Sequence, residues 1–264
     1  MNITFASISH QGKRSSNQDR LANALGARAA CFVMCDGIAG EHGGDTAARL
    51  ACDTIITQFD GDHHLDAQRI RGYIAAANHA IKQQQRNHDT LKNMGTTLVS
   101  LFIDRDYQLA YWAHAGDSRL YHFRRGYLLE MTRDHSLAQR MQDAGYPTDA
   151  INHNLLYFAL GMKEEREASY SDVLALEDGD VFLLCTDGFW HEMDVSDLEQ
   201  TLRMVSNPQE WLALLQRMKP DDNGDNFSAM AVWMGSEEGR GGDGGRGGVG
   251  TGVSRGASTG SEGV

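Results

Sequence analysis

Residues 27–37 read ARAACFVMCDG, in which an apolar run over 29–35 ends on Asp36-Gly37. A short apolar run closed by a turn-forming pair is the pattern of a buried β-strand, since a helix needs more length and a wider period. Cys31 and Cys35 stand an even number of residues apart, so a strand carries both on one face. The signature returns in DVFLLCTDG (180–188), where an apolar run meets Asp187-Gly188. In YQLAYWAHAGDSRLYHF (107–123) a third run meets Asp117, and DDNGDN (221–226) sets Asp225 just ahead of the apolar NFSAMAVWM (226–234). Each arrangement delivers a carboxylate from a rigid support, and the glycine lets backbone approach a ligand. One Asp-Gly is an ordinary turn signal. Several in one chain point to a shared site.

Outward from these runs, NITFASIS (2–9) and GTTLVSLFID (95–104) also have strand patterning. Helical spacing marks DTAARLACDTIITQF (45–59), DAQRIRGYIAAANHAIKQQQ (66–85), SLAQRMQDAG (136–145), SDLEQTLRMV (196–205) and PQEWLALLQRM (208–218). Gly145 is placed to end the third of these helices. Strands and helices do not alternate one for one, and several strands follow one another between Gly95 and Leu129. The order predicts antiparallel hairpins and an α+β architecture, with sheets covered by two groups of helices.

The bulk composition narrows the function. A net charge of −12 over 264 residues leaves no basic surplus to neutralise nucleic-acid phosphates. No apolar stretch approaches the ~20 residues that span a bilayer, and the opening MNITFASISHQGKR lacks the apolar core of a signal peptide. The expected location is the cytoplasm, with no membrane partner. The cysteines Cys31, Cys35, Cys52 and Cys185 lack the paired spacing of a zinc site and read as buried reduced thiols. From Gly235 onward the chain is almost entirely Gly, Ser, Thr and charge, which predicts a flexible tail over 235–264 behind one domain over 1–234.

Clustered carboxylates repel one another and lose hydration unless cations sit between them. Oxygen donors without paired His or Cys favour hard cations such as Mn²⁺ or Mg²⁺. Two such ions clamp the attacking and leaving oxygens of phosphoryl transfer and generate a nucleophile from water at neutral pH. The chemistry that fits is metal-assisted hydrolysis of a phosphate ester.

The ordered segments RSSNQD (14–19), DGIAGEHGGDTAA (36–48), GTT (95–97), GDSRLY (116–121), TRDHS (132–136), ALG (159–161), CTDGFW (185–190) and GDNFSAMAV (224–232) resemble the PP2C, or PPM, family of metal-dependent protein serine/threonine phosphatases. The resemblance runs through nearly everything before the tail, in the family's order. It implies a four-layer α-β-β-α sandwich with two antiparallel sheets flanked by helices. It also implies two Mn²⁺ or Mg²⁺ ions: Asp36 bridges both, the Gly37 carbonyl binds one, Asp187 and Asp225 complete the other shell, and Asp19 acts through coordinated water. By the same resemblance Arg14 pairs with the substrate phosphate, a role suited to its planar charged fork; outside that context it reads as a surface salt bridge. Asp117 is either a turn residue or, with Asp187, part of a third, weaker ion site, for which Asp134 is a lesser candidate.

The chain departs from the family pattern at Gln18, where many members have Glu, at Ile38, where animal members have a His proposed as general acid, and at His191, where many have Asp. His42, His135 and His153 stand outside any paired ligand spacing, although His42 lies near Asp36 in sequence. AGYPTDAINHNLLYF (144–158), rich in turn formers, falls where the family has a mobile flap. The resulting expectation is a monomeric bacterial-type phosphatase acting on phosphorylated proteins and opposing a Ser/Thr kinase, as phosphatases of type VI secretion control do. The alternatives are a phosphoprotein-binding relative without turnover and a phosphatase of small phosphate esters.

Overall fold

A computed structural model describes residues 1–38, 43–148, 151–152, 154–163, 166–218 and 224–235. His42, His153 and residues 236–264 of the expected tail lie outside the described residues. The strands are β1 (Asn2–His10), β2 (Asp19–Leu25), β3 (Ala29–Ile38), β4 (Gly95–Thr96), β5 (Leu98–Asp104), β6 (Leu109–Ala115), β7 (Arg119–Arg124), β8 (Tyr127–Met131), β9 (Ser169–Tyr170), β10 (Leu174–Ala175), β11 (Val181–Cys185) and β12 (Phe227–Gly235). The helices are α1 (Gly44–Gln58), α2 (Ala67–Asn87), α3 (Leu137–Asp143), α4 (Asp187–Trp190), α5 (Val195–Leu202) and α6 (Pro208–Met218).

One sheet runs in the order β1-β12-β11-β7-β8, the other in the order β10-β6-β5-β3-β2, with β4 on β3 and β9 on β6. Every strand pair is antiparallel. The alternation of side chains along each strand sorts the apolar residues into three layers. In β3, Ala29, Cys31, Val33 and Cys35 face α1 and α2, while Ala30, Phe32 and Met34 face the other sheet. In β11, Val181, Leu183 and Cys185 face α5 and α6, while Phe182 and Leu184 return to the middle layer. The four-layer α-β-β-α sandwich expected above is therefore the fold. All four cysteines are free thiols in the core.

Local chemistry sets the element ends. Asp66 caps α2 by accepting from the Arg69 N–H, and Ser136 caps α3 by accepting from the Gln139 N–H. Gly145, at φ 79°, ends α3 as its sequence predicted, with the Tyr146 N–H donating to the Met141 carbonyl. Two boundaries differ from the sequence reading. The strand β3 runs through Asp36-Gly37 to Ile38, because β4 pairs with its end. Asp187-Gly188 does not close a strand but opens the short helix α4. Among the described residues, no helix is long and apolar enough to cross a membrane.

Candidate functional site

The site forms where the ends of the two sheets meet. Asp19 opens β2 and is the antiparallel partner of Asp36 near the end of β3, so the register alone sets the two carboxylates side by side. Across from them, β11 ends at Cys185 and α4 presents Asp187, while Asp225 precedes β12. Asp117 lies in the turn between β6 and β7. Segments from both sheets thus converge on one group of acids.

Hydroxyls beside the acids fix their positions. The Thr97 hydroxyl accepts from the Asp36 N–H at 2.9 Å, and the Thr96 hydroxyl donates to the Asp36 carbonyl at 2.9 Å. Thr97 also shares a 2.7 Å hydrogen bond with Ser118, which ties the Asp36 peptide to the Asp117 turn. Ser228 and Thr186 both donate to Asp19 Oδ2, at 2.7 and 3.1 Å. The other oxygen, Asp19 Oδ1, is buried and finds no hydrogen-bond partner among the described residues. An orphaned buried carboxylate oxygen is costly unless something positive reaches it.

Packing also requires the glycines after the aspartates. A Cβ on Gly37 would stand 2.3 Å from the Gly44 backbone, and one on Gly188 would stand 2.1 Å from the Asn226 carbonyl oxygen. Gly37 therefore seats α1 against β3. Gly188 seats α4 against the Asp225-Asn226 segment, bringing Asp187 and Asp225 close.

Like charge and burial raise the acids together. The Asp36 carboxyl lies well above the ordinary carboxylate range, first through desolvation and then through Asp19, Asp187, Asp117 and Asp225. Burial pushes Asp19 up to about 6, against the pull of the Ser228 and Thr186 hydrogen bonds. Asp117 is pushed up to about 8 by burial, then by Asp187 and Asp134. Asp187 is raised by burial and by Asp225. A site that resists ionisation in this manner gains most from a bound cation, which inverts the sign of the local field.

Two arginines answer part of this charge. Arg14 donates from Nε and an Nη atom to the two oxygens of Asp225, both at 2.8 Å. Arg14 thus forms a salt bridge whose partner is the metal candidate Asp225. Arg119 holds Asp134 in the same bidentate manner at 2.8 and 2.7 Å, so the lesser candidate for a third ion site is already engaged. Arg119 also lies 3.3 Å from the Trp190 ring centroid, and the Trp190 indole N–H donates to the Asp117 carbonyl at 2.8 Å. One helical turn, α4, therefore carries Asp187 and braces Asp117. Exposed His191 stacks on Trp190 and lies 3.1 Å from the Asp187 carbonyl through Nδ1.

Asp19, Asp187, Asp117 and Asp225 all lie near enough to Asp36 to raise its carboxyl. Among the described residues, no group of three or more His, Cys, Asp or Glu side chains is placed closely enough to hold a metal ion. The carboxylates repel one another and Arg14 engages Asp225. The donor set nonetheless fits hard cations: it is all oxygen, acidic beyond what Arg14 neutralises, and includes the orphaned Asp19 Oδ1. Gln18 presents its amide oxygen toward Gly44, where an added Cβ would lie 2.8 Å away. His135 is not part of the cluster. Its Nδ1 accepts from the Gly116 N–H and its Nε2 contacts Ser169, while burial lowers it to about 4. The sequence reading missed Thr96, Thr97, Ser118, Thr186, Ser228 and Asn226, although Thr96 and Thr97 stand in GTT (95–97) and the other four in motifs that carry an aspartate.

A four-layer sandwich of two antiparallel sheets flanked by helices is the architecture of the PP2C-type protein serine/threonine phosphatases. A family model described as protein phosphatase 2C matches residues 8–221, and the chain belongs to that family. The protein phosphatase PhpP of Streptococcus pneumoniae is 28% identical over 239 residues, covering 86% of this chain and 95% of that protein. Among solved structures, PppA, a key regulatory component of T6SS in Pseudomonas aeruginosa, is 31% identical at a TM-score of 0.74, covering 88% and 98% of the two chains. The catalytic domain of the phosphatase PstP in complex with 2 manganese ions is 26% identical at a TM-score of 0.77, covering 89% and 99%.

Proposed function

We propose that this chain hydrolyses phosphoserine and phosphothreonine in proteins, with a catalytic domain over 1–234 that works as a monomer on a pair of Mn²⁺ or Mg²⁺ ions. The observation that carries this reading is the convergence of Asp19, Asp36, Asp187 and Asp225 from both sheets, with Asp19 Oδ1 buried and unpartnered. Asp36, Asp187 and Asp225, with the Gly37 carbonyl, would hold the ions, and Asp19 would support the same centre. Bound there, the cations would supply Lewis acidity and a water nucleophile at neutral pH. Arg14, at the rim, would bind the phosphate through its planar fork. Asp117 beside Asp187 would complete a third, weaker ion site. The likeness to PstP, crystallised with 2 manganese ions, supports the metal pair.

The substrates would be phosphoproteins marked by a Ser/Thr kinase that this enzyme opposes in the cytoplasm, and the likeness to PppA favours a secretion-control setting. The test is phosphate release from a phosphothreonine peptide with Mn²⁺, beside nucleotides and single-stranded DNA. Release confined to the phosphopeptide and abolished by EDTA supports the reading. Tight peptide binding without release would favour a phosphoprotein-binding relative, and preference for small esters would favour the other alternative.

A further inference from the structure

Residues 11–18 form the loop that carries Arg14 from β1 to β2, and one side chain from outside the loop bonds its backbone at three points. Asn226, only 5% exposed, uses its whole amide on the loop backbone. Its Oδ1 accepts from the Gln18 N–H at 2.9 Å, and its Nδ2 donates to the Gln11 carbonyl at 2.7 Å and the Ser16 carbonyl at 3.0 Å. These three contacts grip the loop near both its ends. Within it, the Gln11 side chain donates to the Arg14 carbonyl at 2.7 Å. The neighbouring Asp225 takes the Arg14 guanidinium itself. One dipeptide thus holds the loop by its backbone and by its functional side chain.

The identity of the residue follows from this geometry. Only a primary amide offers one acceptor and two donors within a single planar group. Asp would present oxygen to the Gln11 and Ser16 carbonyls, while Ala would leave three polar backbone groups unmatched in a half-buried place. Gly188 adds a second constraint, since its lack of a Cβ lets α4 rest on the Asn226 carbonyl. The position of the loop is therefore indexed to the segment that carries Asp225 into β12.

We infer that Asn226 is a positioning residue for phosphate recognition, setting where the Arg14 guanidinium stands above the carboxylate cluster. The inference rests on the reading of Arg14 as the phosphate-binding group. It assigns Asn226 no contact with substrate. Its effect travels through the loop.

The experiment is a double-mutant cycle on the full chain with saturating Mn²⁺ and a phosphothreonine peptide. KM, kcat and inhibition by inorganic phosphate are read together with thermal melting. Asn226→Ala should raise KM and the inhibition constant for phosphate by about tenfold, the scale of one charge-assisted hydrogen bond, with a smaller change in kcat. In the Arg14→Ala background the same substitution should change KM by less than about twofold, because coupled positions do not add. An equal KM effect in both backgrounds, or a fall in kcat alone, overturns the role of Asn226. If Arg14→Ala by itself leaves KM unchanged, the reading of Arg14 fails instead. Should Asn226→Ala not fold, Asn226→Asp keeps the size and the acceptor for Gln18 while losing both donors, and the same outcomes decide.

Discussion

The Arg14–Asp225 pair sets up a competition whose size follows from its geometry. If Asp225 joins a cation shell, it must give up the fork of Arg14, so the arginine acts as a resident competitor for the metal. The pair is bidentate, with both contacts at 2.8 Å, but the two side chains are 58% and 36% exposed. Screening by solvent keeps such a pair near 1 kcal/mol, at the upper end for exposed ion pairs because the fork fits the carboxylate. Replacing Arg14 with Lys preserves the positive charge and loses the fork. Mn²⁺ should then bind about three- to fivefold more tightly, since about 1.4 kcal/mol corresponds to tenfold. Titration calorimetry on metal-stripped protein measures this directly. KM for a phosphothreonine peptide should move the other way and rise, because an ammonium cannot grip phosphate in two places. Metal affinity that is unchanged or weaker in Arg14→Lys would refute the competition. Comparison with Arg14→Ala separates the loss of the fork from the loss of charge.

Asp36→Asn should lower kcat by about a thousandfold or more, because the cations supply several kcal/mol of charge stabilisation. The metal-free variant should melt no lower than the parent, since one of several repelling carboxylates is gone; near-full Mn²⁺-dependent turnover would contradict the assignment. Gly188→Ala drives a Cβ to 2.1 Å from the Asn226 carbonyl and should cost about 2–3 kcal/mol in urea unfolding, with Mn²⁺ affinity falling as Asp187 and Asp225 separate. Asp180, fully buried, resists the upward push of desolvation because Arg124, His122 and the Glu177 N–H bind its charged form, holding it at about 2. A depressed carboxyl stabilises the fold above its ordinary value near 3.8 and loses that contribution as pH falls toward 2. Asp180→Asn should therefore unfold at lower urea at pH 7, with the gap from the parent closing between pH 4 and 2; a gap independent of pH would count against the ion pair.

The large apolar strands were legible because burial on both faces leaves continuous runs in β3, β11 and β12. The helices showed their period for the converse reason, each being covered on one side only. By contrast, β2 is partly exposed along most of its length and its residues DRLANAL show little contrast, so nothing in the sequence announced it. The short strands β9 and β10 owe their form to β6 alongside them. Within the site, the aspartates were readable from their place at strand ends. Their partners were not, because a Thr–Asp hydrogen bond between residues 167 positions apart leaves no local pattern. The packing role of the glycines was hidden for a related reason. Asp-Gly announces a turn, whereas Gly37 and Gly188 are required by backbone from elsewhere in the chain.

The β2–β3 hairpin also constrains how this chain can change length. Asp19 and Asp36 close one end of the ladder, and Leu25 pairs with Ala30 at the other, roughly 20 Å away at ~3.3 Å per residue. Extra residues in the turn at 26–28 would disturb the packing of Gly26 on Gly61 and leave the two acids opposed. A single deletion inside either strand would offset one carboxylate from its mate and turn its side chain to the opposite face. The hairpin is a ruler, tolerant of wear at its far end and exact at the end that holds the charge.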